Sequence, residues 1–324
     1  MRKIIIAGGS GQIGSLLTQT FIKNGDDVVI LSRRPHPLRA GRVVEWDGRN
    51  PGPWVEELEG ADVVINLAGR SVNCRYTPEN RREILASRVD STRAIGEAIA
   101  ACQRPPQLWL QAGTATIYAH RFDAPNDEKT GQFDADDADL PEKWRFTNEV
   151  ARSWEAAVEE VGPLPETRTV ILRTSLVLSA TPGGVFEVLL NLVRCGLGGK
   201  NGDGRQYVSW IHQDDFVRAV EWLIDRDGFS GPVNLAAPHP VPNEEFMRVL
   251  REAWGTRTGL PATEWMLEIG ALFLRTETEL ILKSRRVTPG RLLENGFEFE
   301  FPTWPEAAND LCARWRKFRF RATE

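Results

Sequence analysis

The sequence contains few of the residues that bind metals or form disulfides. Among its 324 residues are four histidines and four cysteines, and no two cysteines form a C-x-x-C pair. The histidines are scattered without the spacing of metal ligands, so we predict no metal site. Widely separated cysteines are typical of reduced thiols, and we therefore expect a cytoplasmic protein without disulfides.

The sequence also lacks a long apolar run and an excess of basic residues. No stretch approaches the ~20 apolar residues that span a bilayer, and Gly8 and Gly9 end the first apolar run before it reaches the length of a signal-peptide core. The net charge is −5, whereas nucleic-acid-binding surfaces are usually basic. We expect neither a membrane nor a nucleic acid as partner, and the sequence leaves the oligomeric state open.

What the chain does contain is a regular alternation of apolar, strand-like runs and amphipathic helical segments. Such alternation is typical of an α/β fold, so we predict a doubly wound parallel (Rossmann) sheet with a smaller C-terminal substrate lobe. The predicted strands are 3–7, 28–31, 43–46, 62–66, 108–112 and 169–172, and the predicted helices are 11–24, a long helix from 77, and 147–161.

This alternation stops after Arg173. Closely spaced glycines between 183 and 204 indicate loops, and the acidic stretch 123–141 is expected to be a surface loop. A helix over 214–226 and a strand over 233–236 follow. We predict that residues 1–175 form the first domain, with 207–235 returning to it. The predicted C-terminal lobe consists of 176–206 and 236–324.

The segment AGGSGQIG joins the first predicted strand to the first helix. Its glycines follow the G-x-G-x-x-G pattern, in which glycine permits a tight turn and the helix N-terminus attracts a pyrophosphate. No G-K-[S/T] follows, which excludes a P-loop. The alternative is a purely structural turn. The predicted dinucleotide-binding residues are Gly8, Ser10, Gly11, Gln12, Ile13 and Gly14.

Two arginines follow the second predicted strand. Ser32, Arg33 and Arg34 stand where an NAD-specific site places an acidic residue on the adenosine ribose. A guanidinium pairs instead with a 2′-phosphate through charge-assisted hydrogen bonds. We therefore predict NADP as the cofactor of the first domain. The alternative is two solvated surface arginines.

Longer motifs recur in a fixed order along the chain. They are NLAG (66–69), SR (87–88), TATIY (114–118), WE (154–155), GDGRQYVSWIHQDD (202–215) and VTPGRLLENGFEF (287–299). Together with the glycine turn they resemble the atypical epimerase group of extended short-chain dehydrogenases. These NAD(P)-dependent epimerase/dehydratase-like proteins carry a characteristic C-terminal domain. The resemblance covers nearly the whole chain.

The resemblance implies cofactor residues beyond Ser32 and Arg33. The carboxyl ends of parallel strands face the crevice where dinucleotides bind, which suits residues that follow strands. For Glu83 and Arg88, on the long helix, the alternative is a solvated helix face. The implied residues are Leu67, Ala68, Gly69, Glu83, Arg88 and Val177.

The resemblance also gives Thr114 a catalytic role, because ordinary members polarise the reacting oxygen with a hydroxyl at that place. The usual partner, Tyr-x-x-x-Lys, would fall at Thr147 and Ala151, and the chain has no such motif anywhere. A threonine is too weak an acid to replace it. Tyr118 is our second candidate catalytic residue, and Tyr207, His212 or an ordered water are further possible proton donors.

A glycine-rich polar block resembles the substrate-facing part of the extended dehydrogenases, which implies that it faces the substrate. An arginine in such a place often binds a phosphate or a carboxylate, which predicts a small anionic substrate. The alternative is that Trp210 and its neighbours pack the domain junction. The predicted substrate-binding residues are Arg205, Gln206, Trp210 and His212.

Two functions remain open at this point. One is an NADP(H)-dependent oxidoreductase or epimerase, in which Thr114 orients the reacting oxygen and Arg205 holds the anion. The other is an NADP(H)-binding sensor or regulatory module with little turnover. The retained Thr114 favours the enzyme, and the missing Tyr/Lys pair favours the sensor.

Overall fold

A computed structural model describes residues 1–34, 41–134, 140–263, 265–266 and 282–321. The strands are β1 (Lys3–Ala7), β2 (Asp27–Ser32), β3 (Arg42–Glu45), β4 (Val63–Asn66), β5 (Leu108–Thr114), β6 (Arg168–Thr174), β7 (Leu176–Leu178), β8 (Tyr207–Val208), β9 (Trp210–His212), β10 (Gly231–Leu235) and β11 (Val241–Pro242). The α-helices are α1 (Gln12–Lys23), α2 (Pro78–Ala101), α3 (Glu142–Glu160), α4 (Val185–Arg194), α5 (Gln213–Ile224), α6 (Asn243–Trp254), α7 (Gly290–Glu294) and α8 (Trp304–Arg321).

Seven parallel strands form the central sheet, in the order β10-β6-β5-β4-β1-β2-β3. The order of the strands along the chain reverses between β1 and β4. In open α/β sheets, ligands bind at such a switch point, beyond the carboxyl ends of the strands. The predicted doubly wound Rossmann sheet is confirmed.

Both faces of this sheet are buried, which is why its strands are apolar without alternation. Successive residues of β1 point to opposite faces: Ile4 and Ile6 join one core with α1 and α5, whereas Ile5 joins another with α2. These two apolar layers hold the strand ends in fixed positions, and the candidate site is built on those ends.

A further apolar core joins α4, α6 and α8 beyond the sheet. In it, Trp304 stacks on Phe246 with ring centroids 4.1 Å apart. No helix in the described part of the chain has the length and apolarity needed to cross a membrane.

The expectation of loops between 183 and 204 was wrong for Val185–Arg194, which form α4. Gly184 is the N-cap and Gly196 follows the helix, so the glycines flank α4 instead of interrupting it. Phe186, Leu190 and Val193 lie on one face of α4 and are fully buried.

The acidic stretch 123–141 also differs from expectation, while residues 135–139 lie outside the described residues. Asn126 is fully buried, and its backbone bonds Arg286 and Thr288. The Glu128 carboxylate accepts from the backbone N–H of Asn234, at 2.7 Å. This stretch therefore links the sheet to the C-terminal segment. Helix α3 begins at Glu142, directly after Pro141, and not at 147.

Candidate cofactor and active site

The glycine turn is packed tightly against the loop after β4. Gly8 has a φ of +76°, and a Cβ on it would lie 2.9 Å from the carbonyl carbon of Leu67. A Cβ on Gly14 would lie 2.6 Å from Cα of Gly9. Both positions require glycine, because a side chain would collide with backbone. Leu67 thus lies beside the turn.

The open side of the turn is the N-terminus of α1. Gly11 is the N-cap and supplies no side-chain acceptor to the first N–H groups of the helix. Among the described residues, a Cβ on Gly11 would meet only the carbonyl oxygen of Gly8, at 3.4 Å. The space in front of Gly11 is therefore free, and the uncapped N–H groups suit a pyrophosphate.

Gln12 gives an independent sign of a ligand at this place. Its side-chain nitrogen Nε2 is buried and has no hydrogen-bond partner within the described ranges. It lies against Gly184, where a Cβ would overlap the amide. A buried donor without an acceptor costs free energy, so a ligand oxygen is expected here. The residues present therefore fit a dinucleotide phosphate.

The end of β2 also lies at the glycine turn. The hydroxyl oxygens of Ser10 and Ser32 are 3.4 Å apart. Arg33 and Arg34 follow, and both are exposed. Their position next to the turn is the one that an adenosine 2′-phosphate would approach, so the geometry is compatible with the predicted NADP preference.

Arg88 is a largely buried cation on α2. Its guanidinium carbon lies 4.9 Å above the Trp154 ring, and it donates to the carbonyls of Arg70 and Ile84, each at 3.0 Å. Burial lowers the pKa of Arg88 to about 10, so it remains charged at neutral pH. A Cβ on Gly69 would lie 3.4 Å from its guanidinium carbon. Arg88 therefore borders the NLAG loop and is not a solvated helix face.

Glu83 and Val177, which the resemblance also implies as cofactor residues, do not border the NLAG loop in the way that Arg88 does. Glu83 is half exposed and pairs with Arg70, so it stays at the surface of α2. Val177 lies in β7, is buried in the core, and pairs in register with Ile211.

Thr114 ends β5 at the carboxyl edge of the sheet, opposite Thr174 of β6. Its hydroxyl oxygen accepts from the backbone N–H of Thr116 at 3.2 Å. A hydroxyl that accepts can still donate its own hydrogen, so Thr114 can offer one hydrogen bond to a ligand oxygen.

Tyr118 has a structural role. Its hydroxyl donates to Oδ1 of Asn234 at 2.9 Å and accepts from Arg173 at 3.0 Å. Burial raises the pKa of Tyr118, although Arg173 opposes the shift. The side chain is 2% exposed, so the geometry does not support the predicted catalytic role.

The two positions of the missing Tyr/Lys pair lie on α3. Thr147 donates its hydroxyl to the Trp144 carbonyl. Ala151 is 2% exposed and packs in a small apolar cluster with Ile117 and Val287. Apolar side chains therefore occupy the neighbourhood that a lysine at 151 would need.

Of the four residues predicted to bind substrate, only Arg205 is exposed. It lines an open hollow of about 720 Å³, with Phe122 and Tyr207 among its other walls. Its guanidinium carbon lies 5.6 Å from the centre of the Phe122 ring.

The remaining three point into the protein, which favours the packing alternative for them. Gln206 donates to the carbonyl of Asn201 at 2.9 Å. Trp210 packs on Trp304, and His212 caps α5 by accepting from the N–H of Asp214.

Sequence reasoning missed a group of residues around Thr116. Lys283 and Arg285 reach it from the C-terminal segment, and Asp134 and Asn148 contact Lys283. No motif or spacing marks Asp134, Asn148, Lys283 and Arg285, because they come from three separate parts of the chain. Within the described ranges, no group of three His, Cys, Asp or Glu side chains could hold a metal ion.

The model of the NAD dependent epimerase/dehydratase family matches residues 4–236. The chain belongs to this family. A second model, a domain of unknown function called DUF1731, matches residues 262–311. The predicted family, its C-terminal domain and a nicotinamide dinucleotide as cofactor are thereby confirmed.

Known relatives cover almost the whole of this family member. Epimerase family protein SDR39U1 of Bos taurus is 30% identical over 317 residues, which are 96% of this chain and 100% of that protein. The crystal structure of human SDR39U1 (isoform 2) with NADPH has a TM-score of 0.83 at 28% identity and covers 96% of this chain and 99% of its own. A nucleoside-diphosphate sugar epimerase from Corynebacterium glutamicum has a TM-score of 0.72 at 28% identity and covers 98% of this chain and 61% of its own.

Proposed function

We propose that this protein is an NADP(H)-dependent oxidoreductase or epimerase that acts on a small anionic molecule. The observation that carries the proposal is the position of Thr114. It ends β5 at the same sheet edge as the uncapped N-terminus of α1, with one hydroxyl hydrogen to donate. A dinucleotide whose phosphates lie at α1 would extend along this edge towards Thr114.

NADP(H) is proposed over NAD(H) because of Arg33. An exposed guanidinium next to the glycine turn can pair with a 2′-phosphate, whereas no carboxylate stands there to bind the ribose. The crystal structure of human SDR39U1 with NADPH supports the same choice.

The substrate would lie between the strand ends and the hollow at Arg205. Residues 283–285 connect these two places, since Arg285 approaches Thr116 while its backbone N–H bonds the carbonyl of Tyr207. Arg205 and Arg248 line the hollow together with Glu244 and Glu245, and the guanidinium of Arg205 can hold a carboxylate or a phosphate. We therefore assign 236–324, together with 176–206, to the substrate lobe.

Within such a complex, the chain's own groups would bind and orient. The N-terminus of α1 and Arg88 would hold the anionic cofactor, and Thr114 would donate a hydrogen bond to the reacting oxygen. The nicotinamide supplies hydride chemistry when bound. Tyr118 is buried and its hydroxyl is bonded to Asn234 and Arg173, so it is not placed to deliver a proton, and we expect slow reduction of carbonyl compounds.

A sensor with little turnover remains the second candidate, and one observation favours it. The position of the missing lysine, Ala151, is enclosed by apolar side chains. A lysine at this position would have to place its side chain among these apolar groups.

Single-turnover oxidation of NADPH with 4-carboxybenzaldehyde, an anionic aldehyde, and with phenanthrenequinone tests the proposal. We expect slow but measurable oxidation, which falls several-fold in Thr114→Ala. Thr20→Ala, at the far end of α1, is the matched control and should leave the rate unchanged. Tight NADPH binding without oxidation of either compound would contradict the enzyme and support the sensor.

A further inference from the structure

Lys283 is a fully buried lysine outside the glycine turn and the hollow. It is 1% exposed, and three acceptors among the described residues lie within hydrogen-bond distance of its ammonium group. They are Oδ1 of Asn148 at 2.5 Å, Oδ2 of Asp134 at 3.1 Å and the carbonyl oxygen of Thr116 at 3.2 Å. An ammonium has three N–H donors, and these acceptors compensate for the loss of its hydration on burial.

The three acceptors come from three different parts of the Rossmann domain. Thr116 belongs to the short 3-10 helix Ala115–Ile117 after β5, Asp134 to the stretch that precedes α3, and Asn148 to α3 itself. Lys283 comes from the C-terminal segment. One side chain therefore joins the C-terminal domain to the segments that border the candidate reaction site.

Thr116 connects this ammonium to Thr114. Its backbone N–H donates to the hydroxyl oxygen of Thr114 at 3.2 Å, while its carbonyl accepts from Lys283. Its hydroxyl accepts from Nε of Arg285 at 3.3 Å. The orientation of the Thr114 hydroxyl thus depends on Thr116. Lys283 and Arg285 of the C-terminal segment hold Thr116 in place.

The ammonium of Lys283 also lies at the helix that lacks the usual lysine. Its acceptor Asn148 is the residue after Thr147, where the tyrosine of an ordinary Tyr-x-x-x-Lys pair would stand. Ala151, at the lysine position, is enclosed by apolar side chains. A positive charge is therefore present at this part of α3, although it is not part of the helix.

We propose that Lys283 is a positioning residue of the reaction site. Its ammonium, supplied by the C-terminal domain and paired with Asp134, fixes Thr116, and through it the Thr114 hydroxyl, towards the bound substrate. This inference rests on the proposed function, because it names what orients Thr114 there. No bond is made or broken by Lys283.

A single substitution cannot test this cleanly. Lys283→Met alone would leave the buried carboxylate of Asp134 without its cation, which destabilises a fold irrespective of function. The double variant Lys283→Met/Asp134→Asn removes both charges and keeps the side-chain sizes similar. Lys283→Arg retains the charge and serves as the conservative variant.

The matched control is the exposed pair of Lys129 and Glu294, whose atoms are 2.7 Å apart. Lys129→Met/Glu294→Gln removes the same two charges from the surface. Each variant is first compared with the parent for urea unfolding and for NADPH affinity, and both quantities should be nearly unchanged in the two double variants.

Single-turnover NADPH oxidation with phenanthrenequinone then separates the outcomes. In Lys283→Met/Asp134→Asn we expect the maximal rate to fall roughly ten- to a hundredfold at unchanged NADPH affinity, the effect of one lost charged interaction. Lys283→Arg should recover part of the rate, and the surface control should behave as the parent. An unchanged maximal rate in the stable double variant would overturn the inference and leave the proposed function intact.

A second readout does not depend on turnover. Thr114→Cys introduces a thiol whose pKa, measured by thiolate absorbance, reports the hydrogen bond from the Thr116 N–H. A fixed N–H stabilises the thiolate, so adding Lys283→Met/Asp134→Asn, which frees Thr116, should raise the thiol pKa. If the parent oxidises no NADPH, the proposed function fails, and this comparison still decides the inference. Equal thiol pKa values in the two backgrounds would overturn it.

Discussion

The side chains of Arg173 on β6 and Glu155 on α3 form a bidentate ion pair with N–O distances of 2.8 and 2.7 Å. Both side chains are nearly buried, at 7% and 14% exposure. Burial alone would lower the pKa of Arg173, but the hydrogen bonds and charge of Glu155 outweigh it and raise that pKa. Through Tyr118 the pair continues to Asn234 of β10, so it ties α3 to the sheet below the candidate site.

Breaking this pair from one side should destabilise the protein strongly. We predict that Glu155→Gln lowers the free energy of unfolding by ~3–5 kcal/mol, since it leaves a buried guanidinium without its counter-charge. Urea unfolding followed by circular dichroism measures this. Glu294→Gln, in the exposed pair with Lys129, should cost less than about 1 kcal/mol. If Glu155→Gln lowers the free energy of unfolding by no more than Glu294→Gln does, the buried pair is not structurally important.

Two glycines of the same turn should respond in opposite ways. Gly11→Val should abolish NADPH binding while unfolding as the parent does, because its side chain enters the free space in front of α1. Gly14→Val should destabilise the fold, because its Cβ would lie 2.6 Å from the Gly9 backbone. Fluorescence titration and thermal unfolding measure the two effects. Normal NADPH affinity in Gly11→Val would mean that the phosphates bind elsewhere.

Cofactor choice should depend on Arg33. We predict that the parent prefers NADPH over NADH by roughly ten- to a hundredfold, the contribution of one charged hydrogen bond. Arg33→Asp should remove most of this preference, because a carboxylate repels the 2′-phosphate and accepts from the ribose hydroxyl. Calorimetry gives the dissociation constants of both proteins for NADPH and NADH, and their ratios test this prediction. Equal affinities of the parent for both cofactors would refute the assignment.

Acid should destabilise the protein in part through His212. Burial lowers the pKa of His212 from 6.5, and the nearby Asp214 opposes this. Its Nδ1 accepts from the N–H of Asp214, and its Nε2 lies 3.1 Å from Asp310, which suits the neutral ring. Because the unfolded chain takes up the proton first as pH falls, the stability present above the unfolded pKa is lost on acidification.

The variant His212→Asn isolates this contribution. Asparagine can still cap α5 but does not titrate. Between about pH 7 and pH 5 the parent should therefore lose more stability than the variant, although the variant starts lower because of the cavity it leaves. Urea midpoints across this range provide the measurement. Parallel pH dependence of the two proteins would exclude His212 as the titrating group.

The sequence by itself determined the parts that depend on neighbouring residues. The apolar strands and the helix stripes predicted the parallel sheet, since a strand buried on both faces must be apolar throughout. The glycine turn was equally readable, because Gly14 meets the backbone of Gly8 and Gly9 within the same short segment. Arg33 was predicted because it directly follows the second strand, whereas Thr114 was implied by the family resemblance.

Only the tertiary structure decided which polar groups meet across the chain. Tyr118 was chosen as a catalytic residue from its motif, but Asn234 and Arg173 occupy its hydroxyl from distant strands. No sequence pattern indicated a role for Lys283, because its partners Thr116 and Asp134 lie far away in sequence. Periodicity and spacing report on local backbone geometry. The environment of a buried polar side chain is set by long-range packing, for which a single sequence carries no local signal.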